Sequence, residues 1–219
     1  MKTPSPATRY TVAEELANSL THAVGTLLSI AALAVLVFYT IKQGSIWHIT
    51  SASIFGASLT FLYVSSTCYH LLRHPQKKAR LRIFDHIAIL LLIAGTYTPF
   101  TLITLHGAWG WSLFAAVWAL AISGIFIEFS QLRYRRQFSI ALYVAMGWMI
   151  VMAIKPLLDA LPSTGFILLL GGGLSYTLGI NFYLWRRLPY HHAIWHLFVL
   201  AGSILHFYAV FLYVLPKAV

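Results

Sequence analysis

Seven apolar runs follow one another along the chain, roughly at residues 20–41, 49–72, 83–105, 111–129, 138–158, 164–185 and 192–215, with short polar stretches between them. Each is close to the ~20 residues a helix needs to cross the hydrocarbon core of a bilayer. The pattern predicts an all-α integral membrane protein, a bundle of seven transmembrane helices. Two runs carry helix-loosening residues that bundle packing tolerates: Gly95 with Pro99 in the third, and the glycine triplet 171–173 in the sixth. Ahead of the first run, Thr11-Val12-Ala13-Glu14 reads as a capping box. It is expected to open a short helix lying on the membrane surface, within an N-terminal segment of residues 1–19.

The balance of residue types narrows the picture further. Of the 219 residues, 59% are hydrophobic and 9% charged, with a mean hydropathy of +0.77. An ordinary soluble domain is about 25% charged. Such a chain cannot coat a globule with polar surface, which excludes a soluble enzyme. The seven runs consume nearly the whole length, so residues 1–219 read as one domain with no sizeable extramembrane part. The single cysteine, Cys68, excludes an internal disulfide and a cysteine-based zinc cluster. The N-terminus lacks the short apolar core and small-residue exit site of a cleavable signal, so the first run is expected to be retained as a span.

Fifteen Lys and Arg against five acids give a formal charge of +10. The basic residues sit in short clusters between apolar runs, which fits anchoring at an anionic leaflet and not nucleic-acid binding. Counted by side, twelve fall together: Lys2, Arg9, Arg73, Lys77, Lys78, Arg80, Arg82, Arg133, Arg135, Arg136, Arg186 and Arg187. Lys42, Lys155 and Lys217 fall opposite. The positive-inside rule then puts the N-terminus in the cytoplasm and the C-terminus outside.

Ionisable groups inside spans are costly, so each is a candidate for function. Ser66 and His70 stand four apart near the end of the second run, Asp85 opens the third, and His192 and His196, again four apart, open the seventh. Chain direction puts all of these ends at one cytoplasmic depth. A lone histidine pair can be merely interfacial and solvated, and a lone aspartate at a helix start is often a cap. Three imidazoles at one depth instead make a tetrahedral zinc site with one open position, the ligand count of catalytic zinc. Asp85 would hold the water at that position, orient a histidine, or ligate directly. Ser66 would hydrogen-bond the same water. Cys68 points to another face. His191, with Tyr190, is expected to meet headgroups, and His86 to be rotated away from the site. His206 lies 14 residues past His192, about 21 Å along the axis, too remote to ligate. Glu14 and His22 read as structural, and His48, His74 and His106 as bystanders.

The segments Glu14-Glu15-Leu16-Ala17-Asn18-Ser19 with His22, Ser65-Ser66-Thr67-Cys68-Tyr69-His70, Phe84-Asp85-His86, Ala94-Gly95-Thr96-Tyr97-Thr98-Pro99-Phe100, and His192-Ala193-Ile194-Trp195-His196 followed by His206-Phe207 resemble the hemolysin III family. That family comprises the bacterial relatives of the progestin and adipoQ receptors, which include the adiponectin receptors. A looser likeness, in the Ser-x-x-x-His, Asp and His-x-x-x-His pattern, extends to alkaline ceramidases. The resemblance implies a seven-helix bundle of the bacterial inner membrane with a cytoplasmic N-terminus. It implies a zinc ion held by His70, His192 and His196, with Asp85 at the metal's water and Ser66 in the family's serine position. The chain lacks the long N-terminal region of the eukaryotic receptors, which argues against hormone signalling.

Three functions are compatible with this pattern. The first is a zinc-dependent hydrolase of a lipid amide or ester, ceramidase-like, with catalytic Asp85 and Ser66 and an acyl chain or ceramide-like ligand between the helices. The second is a non-enzymatic sensor or regulator of membrane state in which zinc braces the second, third and seventh spans. The resemblance implies that both would serve membrane-lipid and fluidity homeostasis, with membrane lipids as partners. A pore-forming cytolysin is the third, and neither a soluble-toxin feature nor a charge-lined channel supports it.

Overall fold

The computed structural model describes residues 10–43, 45–130 and 135–216. Among them every regular element is helical: α1 (Val12–Gln43), α2 (Ile46–Leu71), α3 (Pro75–Pro99), α4 (Gly107–Phe129), α5 (Arg135–Trp148), α6 (Ile154–Ala160), α7 (Ser163–Leu184) and α8 (His191–Ala209). With α5 and α6 counted as one stretch, seven helices are long and apolar enough to cross a membrane. Their outward faces carry large apolar side chains, such as Leu27 at 72% and Phe126 at 71% exposure. Lipid, and not water, is the solvent such faces require.

The first helix differs from the expectation. The capping box forms: Thr11 N–H donates to Glu14 Oε2 (2.9 Å), and Glu14 N–H donates to Thr11 Oγ1 (3.2 Å). The helix it opens is not a separate surface element, however, but α1 itself, running unbroken through Gln43. No glycine or proline lies between Glu14 and Leu20 to end it. The third helix likewise starts earlier than its apolar run. Pro75 stands at the first helical turn, so Lys77, Lys78, Arg80 and Arg82 occupy the opening turns of α3 and no loop. Asp85 therefore lies ten residues inside α3 and is no cap. Of the charges used for orientation, Lys2, Arg9, Arg133 and Lys217 lie outside the described residues, as does the rest of segment 1–9.

Two helix breaks shape the interior. Pro99 has no N–H to give the Gly95 carbonyl, and the chain passes directly into a π-helical turn at Phe100–Leu105. Pro156 removes a donor in the same way, and α5 and α6 are joined by a 3-10 stretch at Met149–Ala153. One hydroxyl stitches that break: Tyr97 Oη donates to Gly147 O (2.9 Å) and accepts from Ile150 N–H (2.8 Å). Glycines let elements approach closely. A Cβ on Gly95 would overlap Ser58 of α2, and one on Gly172 would overlap the His206 ring. Around these contacts Phe55, Leu59, Tyr63, Phe100, Leu157 and Val210 form the larger apolar core, and Leu90, Leu113, Val117 and Met146 a second.

Candidate metal centre

The end of α2 and the beginning of α8 meet at one end of the bundle. His70 comes from the last turn of α2, and His192 and His196 from the first two turns of α8, where the i,i+4 spacing stacks them on one face. Their ring centroids form a triangle with sides of 5.0 Å (His70–His192), 5.1 Å (His70–His196) and 4.5 Å (His192–His196). One ring nitrogen from each lies within 4.8 Å of the others, and all three side chains are buried.

Hydrogen bonds set the tautomers. His70 Nδ1 lies 2.7 Å from Glu15 Oε2 of α1. A carboxylate only accepts, so Nδ1 carries a proton, and in the neutral ring Nε2 presents the lone pair. His196 Nδ1 donates to the Asn18 carbonyl of α1 (3.2 Å), with Thr21 Oγ1 at 3.1 Å. Its Nε2 is likewise left as a lone pair. Both Nε2 atoms are buried without a hydrogen-bond partner. Unpaired buried acceptors cost about 1–3 kcal/mol each, and a cation placed among the three rings satisfies them together. The residues present therefore fit a metal ion held by three imidazoles.

α1 forms the back wall of this centre. Glu15, Asn18 and His22 stand at i, i+3 and i+7 on one helix face. Glu15 also accepts from Lys78 Nζ of α3 (2.7 Å), so one carboxylate joins three helices. Glu14 Oε1 accepts from the Tyr190 N–H (3.2 Å), at a left-handed residue (φ 55°) just before α8. His22, read from the sequence as structural, stacks on His196 with centroids 3.5 Å apart and planes 17° apart. Glu15, Asn18 and Thr21 had no assigned role in the sequence. Their helical spacing was legible there, but which histidine each meets was not. Removing the Glu15 carboxylate frees the His70 ring to rotate. Glu15→Ala is expected to weaken metal binding by about 10–100-fold, read by competition with a chelator, whereas Glu15→Gln, which keeps an accepting oxygen, should lose less.

Ser66 is buried one turn before His70, on the same face of α2, and its Oγ has no hydrogen-bond partner. Asp85 is buried and borders a cavity of about 310 Å³ that His22 and His192 also line. Beyond that end the lining is mostly apolar, with Leu92, Ile93, Phe100, Leu157, Phe166 and Val199 among its residues. One expectation needs correction. His191 does not reach headgroups: it is buried, and its Nδ1 lies 3.1 Å from the Phe182 carbonyl at the end of α7. His86 turns from the centre to Glu128 of α4 (3.1 Å), a buried carboxylate that also accepts from Ser139. Cys68 is exposed.

A family model described as Haemolysin-III related matches residues 10–207. The chain belongs to the haemolysin III family. It is 48% identical to Hemolysin-3 of Bacillus cereus over 207 residues, covering 94% of each protein. It is 46% identical to the Hemolysin-3 homolog of Bacillus subtilis (strain 168) over 204 residues, covering 93% of this chain and 96% of the relative. At 28% identity over 208 residues it is also similar to the Monocyte to macrophage differentiation factor of Homo sapiens, a weaker match to the adiponectin receptor-like proteins. The family resemblance read from the motifs thus holds across nearly the whole chain. Every segment that carried it lies within the matched residues. In this haemolysin III protein the motif of α1, Glu15 through His22, backs the histidines contributed by the motifs of α2 and α8.

Proposed function

We propose that this haemolysin III protein is a zinc-dependent hydrolase of membrane lipids, acting on an amide or ester whose acyl chain lies in the cavity. The observation that carries the reading is the convergence of three buried histidines, one ring nitrogen from each within 4.8 Å of the others, one of which, His192, lines an apolar cavity that Asp85 also borders. Three nitrogen ligands with no thiolate among them match the zinc sites that keep a position open. Bound there, zinc would lower the pKa of water toward neutrality and polarise a carbonyl.

The chain's own groups supply the rest. Asp85, the carboxylate on the cavity wall, would take the proton from water and return it to the departing nitrogen or oxygen as the C–N or C–O bond breaks. Ser66 Oγ offers one hydrogen bond beside His70. The apolar walls hold the acyl chain, and burial keeps bulk water from the reacting carbonyl. Acyl-chain release from a panel of ceramides and phospholipids tests this, with metal content measured in parallel. Cleavage that tracks zinc content is expected; no cleavage of any lipid by zinc-loaded protein favours the alternative. That alternative is a regulator of membrane state in which the metal braces the bundle, and the ties from Glu15 to His70 and from Asn18 to His196 support it.

We place the centre at the cytoplasmic side of the bacterial inner membrane, from the asymmetry of Lys and Arg. A reporter active only outside the cytoplasm should work when fused after Val219 and be silent in the Arg133–Arg136 loop. The reverse pattern would put the metal centre at the outer face.

A further inference from the structure

The cavity has a second polar station far from the metal centre. Tyr176 of α7 and His206 of α8 both border it, their rings 5.3 Å apart in an edge-to-face arrangement. His206 is buried and Tyr176 partly buried, in a region lined mostly by apolar side chains, where polar groups require a reason. His206 had been set aside in the sequence as too distant to ligate, and the metal centre does not use it.

Proton counting shows what this station lacks. Tyr63 Oη donates to Ser203 Oγ (2.8 Å), and Ser203 Oγ lies 2.9 Å from Tyr176 Oη. Three hydroxyls carry three protons but make two bonds among themselves, so one O–H remains to be given. His206 Nε2 lies 3.0 Å from the Leu169 carbonyl, which only accepts. That nitrogen therefore carries the ring proton, and Nδ1, buried and without a partner, is an acceptor. With Ser203 Oγ, which already accepts from Tyr63, donating in turn to Tyr176 Oη, the surplus O–H is that of Tyr176, which borders the same cavity as the surplus acceptor on His206. A methylene satisfies neither and a carbonyl only the donor. A hydroxyl accepts from the tyrosine–serine triad and donates to His206.

We propose that Tyr176 and His206 form a recognition site for a hydroxyl group carried midway along the chain of a bound amphiphile. The proposal rests on the reading that the cavity holds an acyl chain with its polar end at the metal centre. His206 lies ten residues beyond His196 on one helix, an axial offset of about 15 Å that about twelve extended chain carbons would span. The ligand class is therefore a hydroxylated long-chain acid or its amide or ester.

The test uses the full-length, zinc-loaded protein in lipid nanodiscs and compares equilibrium binding of octadecanoic acid, its 12-hydroxy derivative and its 2-hydroxy derivative. The 12-hydroxy acid should bind about tenfold more tightly than the plain acid. In Tyr176→Phe and in His206→Phe that preference should shrink toward unity, while binding of the plain acid persists and reports a folded cavity. The 2-hydroxy acid should show no gain that depends on either residue. Equal binding of the plain and 12-hydroxy acids, or a preference that survives in both variants, overturns the proposal and leaves the acyl-chain reading standing. Failure of all three acids to bind overturns both.

Discussion

Purified from membranes, the protein is expected to carry about one zinc per chain, and a His192→Ala, His196→Ala double variant to carry almost none. The centre draws its three nitrogens from two helices. Removing both α8 ligands leaves His70 alone, and a single imidazole does not hold zinc against bulk water and buffer. The double variant is more decisive than either single one, because His22 lies stacked on His196 with an imidazole of its own. Metal analysis of detergent-solubilised protein, with chelator competition for affinity, reads the outcome directly. Stoichiometric zinc in the double variant would place the metal elsewhere and remove the basis for the chemistry. Loss of metal should also lower thermal stability, because metal bound only by the folded bundle contributes its binding energy to folding.

The second large effect is expected from Asp85→Asn. The substitution keeps the side chain's size and its place on the wall of the cavity that His192 also lines. If Asp85 moves the proton, the variant should retain zinc yet lose lipid hydrolysis, since a carboxamide can hydrogen-bond water but cannot take its proton at neutral pH. General-base catalysis is typically worth about 10²–10⁴-fold in rate, so the loss should exceed that from Ser66→Ala. The serine change removes one hydrogen bond and leaves charge and ligand count intact. A supporting role for Asp85 gives a different signature: zinc affinity falls by about 10–100-fold, and no turnover is there to lose. Metal content measured beside acyl-chain release separates the two.

How much of this was readable in advance differs from element to element. The seven membrane helices were legible because lipid imposes a one-dimensional rule: a long enough apolar run must cross as a helix. The apolar runs ended close to the observed helices, except where polar residues extend a helix beyond the bilayer core. That is why α1 begins at Val12 and α3 at Pro75, each well before its apolar run. Hydropathy reports the solvent, whereas a helix ends at a cap or a proline. The break between α5 and α6 was missed because its cause, a missing donor at Pro156 stitched over by Tyr97, joins residues some fifty positions apart.

His70, His192 and His196 were singled out from the sequence because alternating chain direction puts one end of α2 and of α8 at the same depth. Depth is a single coordinate, however, and a metal site needs three. The triangle of rings, the choice of Nε2 as the free nitrogen, and the clamp of Glu15 on His70 and Lys78 were decided by how α1 packs behind α2, α3 and α8. The same holds at His191 and His206. By spacing alone one was expected at the headgroups and the other without a role. In the folded bundle His191 is tied to the end of α7, and His206 sits against Gly172 beside Tyr176 at the cavity wall. Amino-acid order determined which residues cross the bilayer and at what depth each polar group lies, because a helix in lipid has fixed rise and little choice. Which polar groups face each other depends on rotation of each helix about its axis, and only packing between helices decides that.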